Sequence, residues 1–159
     1  MTNLLNKTLL ATAMLAALAT GACASDNNTS NAVASKTVSG DNAVHVSVKD
    51  IKSDTGYIMA ALFTSADTFL GPDPLQGMRI EVKDGVAEFD FKGLTSGEYA
   101  ITLFHDVDAD GKMAKNAFGI PTEPYGFSND APIRFGPPKW EAAHFTVSAK
   151  TTTQTISLK

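Results

Sequence analysis

The residue types best suited to chemistry lie in one stretch, FHDVDADGKMAKNAFGIPTEPYGFSND, residues 104–130. Asp106, Asp108 and Asp110 occupy alternate positions, and Gly111 follows at once. Calcium takes six to eight oxygen ligands, and a tightly curled loop can supply them from alternate side chains. Three crowded carboxylates also repel one another when no cation lies between them. The spacing therefore predicts a calcium site in a loop.

The loop matches only the first half of an EF-hand. With Asp106 counted as the first position, Lys112 falls at the seventh, which supplies a backbone carbonyl, but Ala117 stands where a bidentate Glu belongs. Without that Glu, we expect a dissociation constant of roughly 10⁻⁴ to 10⁻³ M, as in extracellular calcium modules. The predicted ligands are Asp106, Asp108, Asp110, Lys112 and Asn116, with Glu123, Asp130 or water completing the shell.

The same aspartates have a second interpretation that needs no ion. Aspartate side chains readily accept hydrogen bonds from backbone N–H groups one or two residues further along and so stabilise turns. Asp106, Asp108 and Asp110 would then be turn residues in a polar loop. The sequence leaves both interpretations open.

Catalytic chemistry has weaker support. His105 and Asp106 are neighbours, but adjacent residues of a strand point to opposite faces and cannot form a dyad. The spacing of His45, His105 and His144 carries no zinc signature, and the chain has no G-x-S-x-G or H-E-x-x-H motif. We therefore predict no catalytic residue, keep a hydrolase as the least favoured alternative, and expect His105 to brace the long loop through hydrogen bonds.

Aromatic residues of the same region suggest a ligand site. Tyr125, Phe127 and Trp140 lie near Asp and Asn residues, a combination that suits a sugar or a peptide. A small-ligand-binding protein that uses the aromatic loop 118–140 is therefore the alternative function. In the other interpretation, these aromatic side chains simply cover the open end of the fold.

The segments that must position these residues read as strands. Apolar and polar residues alternate in VHVSVKDI, for example, where Val44, Val46 and Val48 share one face. Asp84-Gly85 between two alternating runs predicts a hairpin turn. Seven short strands without capped helices predict an all-β fold, a seven-stranded antiparallel β-sandwich in which the last two strands pair. The predicted strands are 44–51, 56–63, 78–82, 86–91, 97–104, 143–149 and 153–159.

One connection does not fit this pattern. Residues 105–142 carry no strand or helix signal, and loops beyond about 15 residues in a compact domain are usually functional or disordered. This connection is too rich in large apolar residues for disorder. We therefore predict one long, ordered loop that packs on the sandwich.

The first 43 residues are predicted to lie outside the domain 44–159. Residues 1–24 have the plan of a secretory signal peptide, with Lys7 followed by an apolar run and small residues. Cys23 follows Gly21-Ala22, so a lipid anchor at Cys23 is an alternative to a freely released protein. Residues 25–43 are rich in Ser, Asn, Asp and Thr and are predicted to form a disordered tether. No segment of the mature protein is predicted to cross a membrane.

Two stretches resemble known bacterial modules. HDVDADGKMAKNAFGIPTEPYGFSN resembles the signature of an exported bacterial family catalogued only as domain of unknown function family 2141. FKGLTSGEYAITLFHD resembles the strand entry of prealbumin-like and immunoglobulin-like modules, in which a Tyr anchors the strand. The resemblance to family 2141 implies a secreted β-sandwich and assigns no activity.

Together these features predict an exported periplasmic or cell-envelope module with a structural or binding role, stabilised by calcium in the 106–116 loop. An extracellular location is the alternative. The partner would be an unidentified envelope or extracellular molecule. The formal net charge of −4 and the absence of a basic patch in the sequence argue against nucleic acid.

Overall fold

The computed structural model of the protein describes residues 31–36 and 39–159. Within them, no helix is long and apolar enough to cross a membrane. The short helical segments are a 3-10 helix at Ser128–Asp130 and α1 at Trp140–Ala143. The strands are β1 (Asn31–Ser35), β2 (Asn42–Lys49), β3 (Tyr57–Phe63), β4 (Gln76–Glu81), β5 (Ala87–Leu94), β6 (Gly97–Asp106), β7 (Tyr125–Phe127), β8 (Phe145–Val147) and β9 (Thr151–Ser157).

These strands form two sheets that face each other across one core. The larger sheet has the order β1-β4-β3-β6-β7, with β8 also paired to β6, and the smaller has the order β5-β2-β9. The alternating valines of β2 are buried in this core, as are Phe89 and Phe91 of β5 and Ile58 and Ile101 of the larger sheet. The predicted all-β, sandwich-like architecture is therefore confirmed.

The pairing of the strands differs from the predicted antiparallel arrangement. Strand β9 pairs with β2 in parallel, with Val44 opposite Thr152 and Val48 opposite Ile156. The predicted pair 143–149 with 153–159 does not form, because β8 pairs with β6 of the other sheet. The turn between β8 and β9 thus crosses from one sheet to the other, which brings Ile156 into the shared core.

The predicted Asp84-Gly85 turn forms, but it also joins the two sheets. Asp84 and Gly85 have positive φ angles of 53° and 69°, as a tight turn between twisted strands requires. Lys83 and Val86 form a single bridge beside the turn. Beyond it the chain separates, since β4 pairs with β3 and β5 pairs with β2.

The N-terminal predictions fall largely outside the described residues. This holds for the predicted signal peptide 1–24 and for Cys23. Within the predicted tether 25–43, β1 (Asn31–Ser35) pairs antiparallel with β4 at the edge of the larger sheet. Strand β2 begins at Asn42, two residues before the predicted domain boundary.

The long connection 105–142 was wrongly predicted to lack secondary structure. Besides the last two residues of β6, it contains β7, the 3-10 helix and the first three residues of α1, and each of these last three elements has only three or four residues. Elements this short cannot display an alternating or helical pattern, so sequence periodicity could not reveal them. The predicted packing is confirmed: Phe127, Ala131 and Ala143 are buried with Ala100 in a second apolar cluster, against which Phe69 and Trp140 pack.

A buried serine fastens this connection to β6. Strands β8 and β7 pair with different parts of β6, at Gly97–Tyr99 and Thr102–Phe104 respectively. In the gap between them, the backbone N–H of Ile101 donates to Ser128 Oγ at 2.8 Å. The Ser128 hydroxyl lies 2.6 Å from the carbonyl oxygen of Ala143, to which it donates. Ser128 therefore joins β6, the 3-10 helix and α1.

Strand β6 begins at an anchored tyrosine. The Tyr99 hydroxyl donates to the carbonyl oxygen of Thr95 at 2.9 Å, and the Tyr99 ring is buried in the main core. This bond closes the corner before β6. It is the kind of tyrosine anchor that the resemblance to prealbumin-like and immunoglobulin-like modules implies.

The last residues of the chain connect the smaller sheet to β7. Lys159 and Tyr125 exchange backbone hydrogen bonds of 3.0 and 3.2 Å. The N–H of Ser157 donates to Asp130 Oδ1 at 2.7 Å. Gly126 lies against this segment, and a Cβ at Gly126 would come within 2.7 Å of Ile156 Cγ2. Strand β9 and the residues after it thus hold both sheets together at this end.

Candidate functional site

Three carboxylates converge where β6 ends. Asp106 is the last residue of β6, Asp108 follows in the loop, and Glu123 lies just before the antiparallel β7. One oxygen from each of these side chains lies within 4.8 Å of the others. We call Asp106, Asp108 and Glu123 the acidic pocket.

Asp106 is fully buried and organises the turn that follows it. Its Oδ1 accepts from the backbone N–H of Asp110 at 3.1 Å, and its Oδ2 accepts from that of Gly111 at 3.0 Å. Gly111 and Ala109 have positive φ angles of 78° and 63°. This left-handed backbone curls the chain back onto the carboxylate.

Glu123, just before β7, completes the acidic pocket on the side opposite β6. It is 9% exposed, and its two oxygens accept from the backbone N–H groups of Val107 at 3.0 Å and Ala114 at 2.9 Å. It therefore bridges the two ends of the aspartate loop. From the sequence, Glu123 is only one of several residues that could complete the calcium ligand shell. Nothing in the linear spacing indicates that β7 returns beside β6.

The acidic pocket concentrates negative charge. Two of its carboxylates are buried, and no lysine or arginine within residues 39–159 forms an ion pair with any of the three. The backbone N–H groups provide partial positive charge but no full countercharge. Ligands at 2.3–2.6 Å from one calcium ion can be at most about 5.2 Å apart, so the spacing of these oxygens fits a shared cation.

The other predicted ligands have different partners. Asp110 Oδ1 accepts from the backbone N–H of Lys112 at 2.7 Å, and Asn116 Oδ1 accepts from the N–H groups of Phe118 and Ile120 at 2.9 and 3.1 Å. These are the local turns of the second interpretation. Asp130 likewise bonds the segment at the end of β9. Among the carboxylates, the structure thus gathers Asp106 and Asp108 with Glu123, but not Asp110 or Asp130.

The three histidines do not form a common site. His45 Nδ1 lies 2.8 Å from Asp90, and His144 stacks on the Trp140 ring. His105 is buried, its Nε2 donates to the carbonyl oxygen of Thr55 at 2.8 Å, and its backbone N–H donates to Pro124. The His105 side chain therefore braces the segment before β3, and only its backbone N–H bonds the long connection.

A second feature lies on the outer face of the larger sheet. There, side chains of β6 and β7 and two segments of the long connection enclose a groove of about 620 Å³, a volume typical of small-ligand sites. We call it the loop groove. It is lined by Leu70, Thr102, Leu103, Phe104, Met113, Lys115, Gly119, Ile120, Pro121, Tyr125, Phe127, Ile133, Arg134, Phe135, Gly136 and Pro137.

Two of the three predicted ligand-binding aromatics line the loop groove. Tyr125 and Phe127 contribute to it, with their rings edge to face at 5.9 Å. Trp140 does not, because it packs between Phe69 and His144 in the second apolar cluster. The groove also contains Arg134 and Phe135, which were not among the predicted ligand-binding residues. The only sequence signal for them is an aromatic residue directly after an arginine.

The fold and the two sites define a β-sandwich-like domain with a buried acidic pocket and an apolar groove on one outer face. A family model described as "Uncharacterized protein conserved in bacteria (DUF2141)" matches residues 46–155. The chain belongs to this family, as the resemblance implied. No curated protein and no solved structure matches the chain.

Proposed function

We propose that this protein is an exported module of the bacterial cell envelope that binds a small ligand in the loop groove. This proposal is based on the shape and lining of the loop groove. Its aromatic floor, its volume of about 620 Å³ and its enclosure by two loop segments are the usual features of a ligand site. Tyr125 and Phe127 belong to this floor, in accord with the role expected of them.

A binding role is favoured over catalysis by the partners of the acid–base groups. His105 Nε2 and His144 Nδ1 are bonded to backbone carbonyl oxygens, those of Thr55 and Trp140 respectively. A hydrolase would need such a group directed at a substrate. Export rests on the leader alone, which lies outside the described residues. Periplasmic release, a lipid anchor at Cys23 and an extracellular location remain the alternatives.

The groove proposal can be tested with a neutral, apolar fluorescent dye, N-phenyl-1-naphthylamine. We expect its emission to rise on binding with one site per protein. Ile120→Asp, at the rim of the groove, should abolish this rise, whereas Val86→Asp should retain it. Ile120 and Val86 are similarly exposed, at 57% and 54%, and Val86 does not line the groove. Equal binding by both variants would refute the groove as the site.

We propose further that the acidic pocket binds calcium. The proposal is supported by three converging carboxylates, two of them buried, that have no cationic side chain among residues 39–159 as a partner. Asp106, Asp108 and Glu123 would supply the protein ligands, with backbone carbonyls and water as the remaining oxygens. The ion would fix the aspartate loop against β7 and so stabilise the protein. A thermal unfolding experiment in EDTA, calcium and magnesium tests it.

For the fold, we propose the immunoglobulin-like or prealbumin-like subclass. The Tyr99 anchor supports this assignment. The seven strands predicted from the sequence would form its framework, with β1 and β7 as additions. An experimental structure tests the subclass directly.

A further inference from the structure

The loop groove contains a concentration of exposed apolar side chains. Leu70, Ile120 and Phe135 line it and are among the few large apolar residues of residues 39–159 that are exposed to solvent. Phe135 is fully exposed, and Phe118 lies exposed two residues before Ile120. Exposed apolar residues that cluster around a concave site indicate that something covers them.

The charge of the groove is opposite to that of the protein as a whole. Lys115 and Arg134 line it, and no Asp or Glu does, although the chain carries a formal net charge of −4. Neither Lys115 nor Arg134 forms an ion pair with another residue in the part of the chain that the structure describes. Both cations are therefore available to an anionic group at the mouth of the groove.

The lining also disfavours a sugar. Besides the two cations, only Thr102 and Tyr125 bring polar side-chain groups to it. A sugar buried there would leave most of its hydroxyl groups without hydrogen bonds, which costs free energy for each of them. An aliphatic chain has no such groups and gains from contact with Phe104, Tyr125 and Phe127.

We infer that the loop groove binds an aliphatic carboxylate, a free acid with an extended hydrocarbon chain. This inference rests on the proposed function of the groove as a ligand site. The chain would lie along the aromatic floor formed by β6 and β7. The carboxylate would be held by Arg134, whose planar guanidinium matches two oxygens, and by Lys115.

Isothermal titration calorimetry of the purified protein at pH 8 tests this inference with decanoate, octanoate, acetate and 1-decanol. We expect decanoate to bind with one site. Each buried methylene contributes about fourfold in affinity, so octanoate should bind about fifteenfold more weakly and acetate should give no heat. The uncharged 1-decanol should bind about fivefold more weakly than decanoate.

Arg134→Ala and Ile120→Asp separate the contribution of the ligand's carboxylate from that of its hydrocarbon chain, and Lys52→Ala is the control. Arg134→Ala should weaken decanoate about fivefold and leave 1-decanol unchanged. Lys52→Ala, which removes the same charge from an exposed position that does not line the groove, should change neither. Ile120→Asp should weaken both ligands and decanoate more strongly, since it adds a negative charge at the rim.

The outcomes distinguish this inference from the proposed function. If 1-decanol binds as tightly as decanoate and Arg134→Ala has no effect, the anionic ligand class is wrong while the groove stands. If decanoate binds but Ile120→Asp has no effect, it binds elsewhere and the inference is overturned. If the decyl compounds and the naphthylamine dye all fail to bind, both the inference and the proposed function fail.

Discussion

Asp108 offers the sharpest test of the acidic pocket because its side chain contributes little to the stability of the fold itself. Its side chain is exposed, and its one hydrogen bond, from the backbone N–H of Asp110, is 3.3 Å long. In EDTA, Asp108→Ala should therefore change the free energy of unfolding by no more than about 0.5 kcal/mol. In calcium, the same substitution should remove one of three carboxylate ligands.

The size of the calcium effect follows from mass action. With a dissociation constant of about 10⁻⁴ M, 10 mM calcium is a hundredfold excess and adds about 2.7 kcal/mol to the free energy of unfolding. With about 10⁻³ M, the gain is about 1.4 kcal/mol. Asp108→Ala should reduce this gain to near zero, and equimolar magnesium should reproduce little of it in the unsubstituted protein, because magnesium demands stricter octahedral geometry.

Asp110→Ala is the matched control. Asp110 was also predicted as a ligand, but its side chain bonds the backbone N–H of Lys112 at 2.7 Å and is not part of the pocket. Its loss should cost about 0.5–1 kcal/mol in EDTA and in calcium alike. Urea unfolding of both variants in each condition measures the difference. Equal loss of the calcium gain in both variants, or no calcium gain in the unsubstituted protein, would refute the proposed pocket.

Three further substitutions test how the long connection and its strands are held. Ser128→Ala leaves the buried N–H of Ile101 without a partner and should lower the free energy of unfolding by about 1–3 kcal/mol in urea titration. The control, Ser148→Ala at an exposed position, should cause no loss. A loss no larger than that of the control would contradict the bridging role of Ser128. Tyr99→Phe removes only the anchoring hydroxyl and should cost about 1 kcal/mol by the same measurement, while an unchanged midpoint would show that the corner closes without it. Gly126→Ala should cost about 1–3 kcal/mol in calorimetry, because its Cβ would meet β9 at 2.7 Å, and a neutral result would mean that β9 shifts easily.

The strands of the core could be predicted because their residues alternate. Val44, Val46 and Val48 are buried on one face of β2, as their spacing indicates. Their partners could not be predicted, because period-two alternation is the same in a parallel and an antiparallel pair. The pairing of β9 with β2 depends on which strand end lies nearest in space, and linear sequence does not contain that information.

How well each site could be predicted depends on how close its residues are in the sequence. Asp106 and Asp108 stand two positions apart, so their proximity could be read directly. Glu123 joins them only because β7 returns antiparallel to β6. The loop groove is less local still, since Leu70, Ile120 and Phe135 come from separate segments that meet on the outer face of a sheet.

The parallel pairing of β2 with β9 determines when the domain can finish folding. These strands lie about a hundred residues apart in the chain, and closing a loop of that length costs about 4 kcal/mol of entropy before any contact is gained. Until β9 is available, β2 keeps an open edge and the core lacks Ile156 and Leu158. Contacts so distant in sequence make folding slow, on the scale of milliseconds to seconds. A chain that leaves the ribosome N-terminus first therefore stays incompletely folded until β9 has emerged.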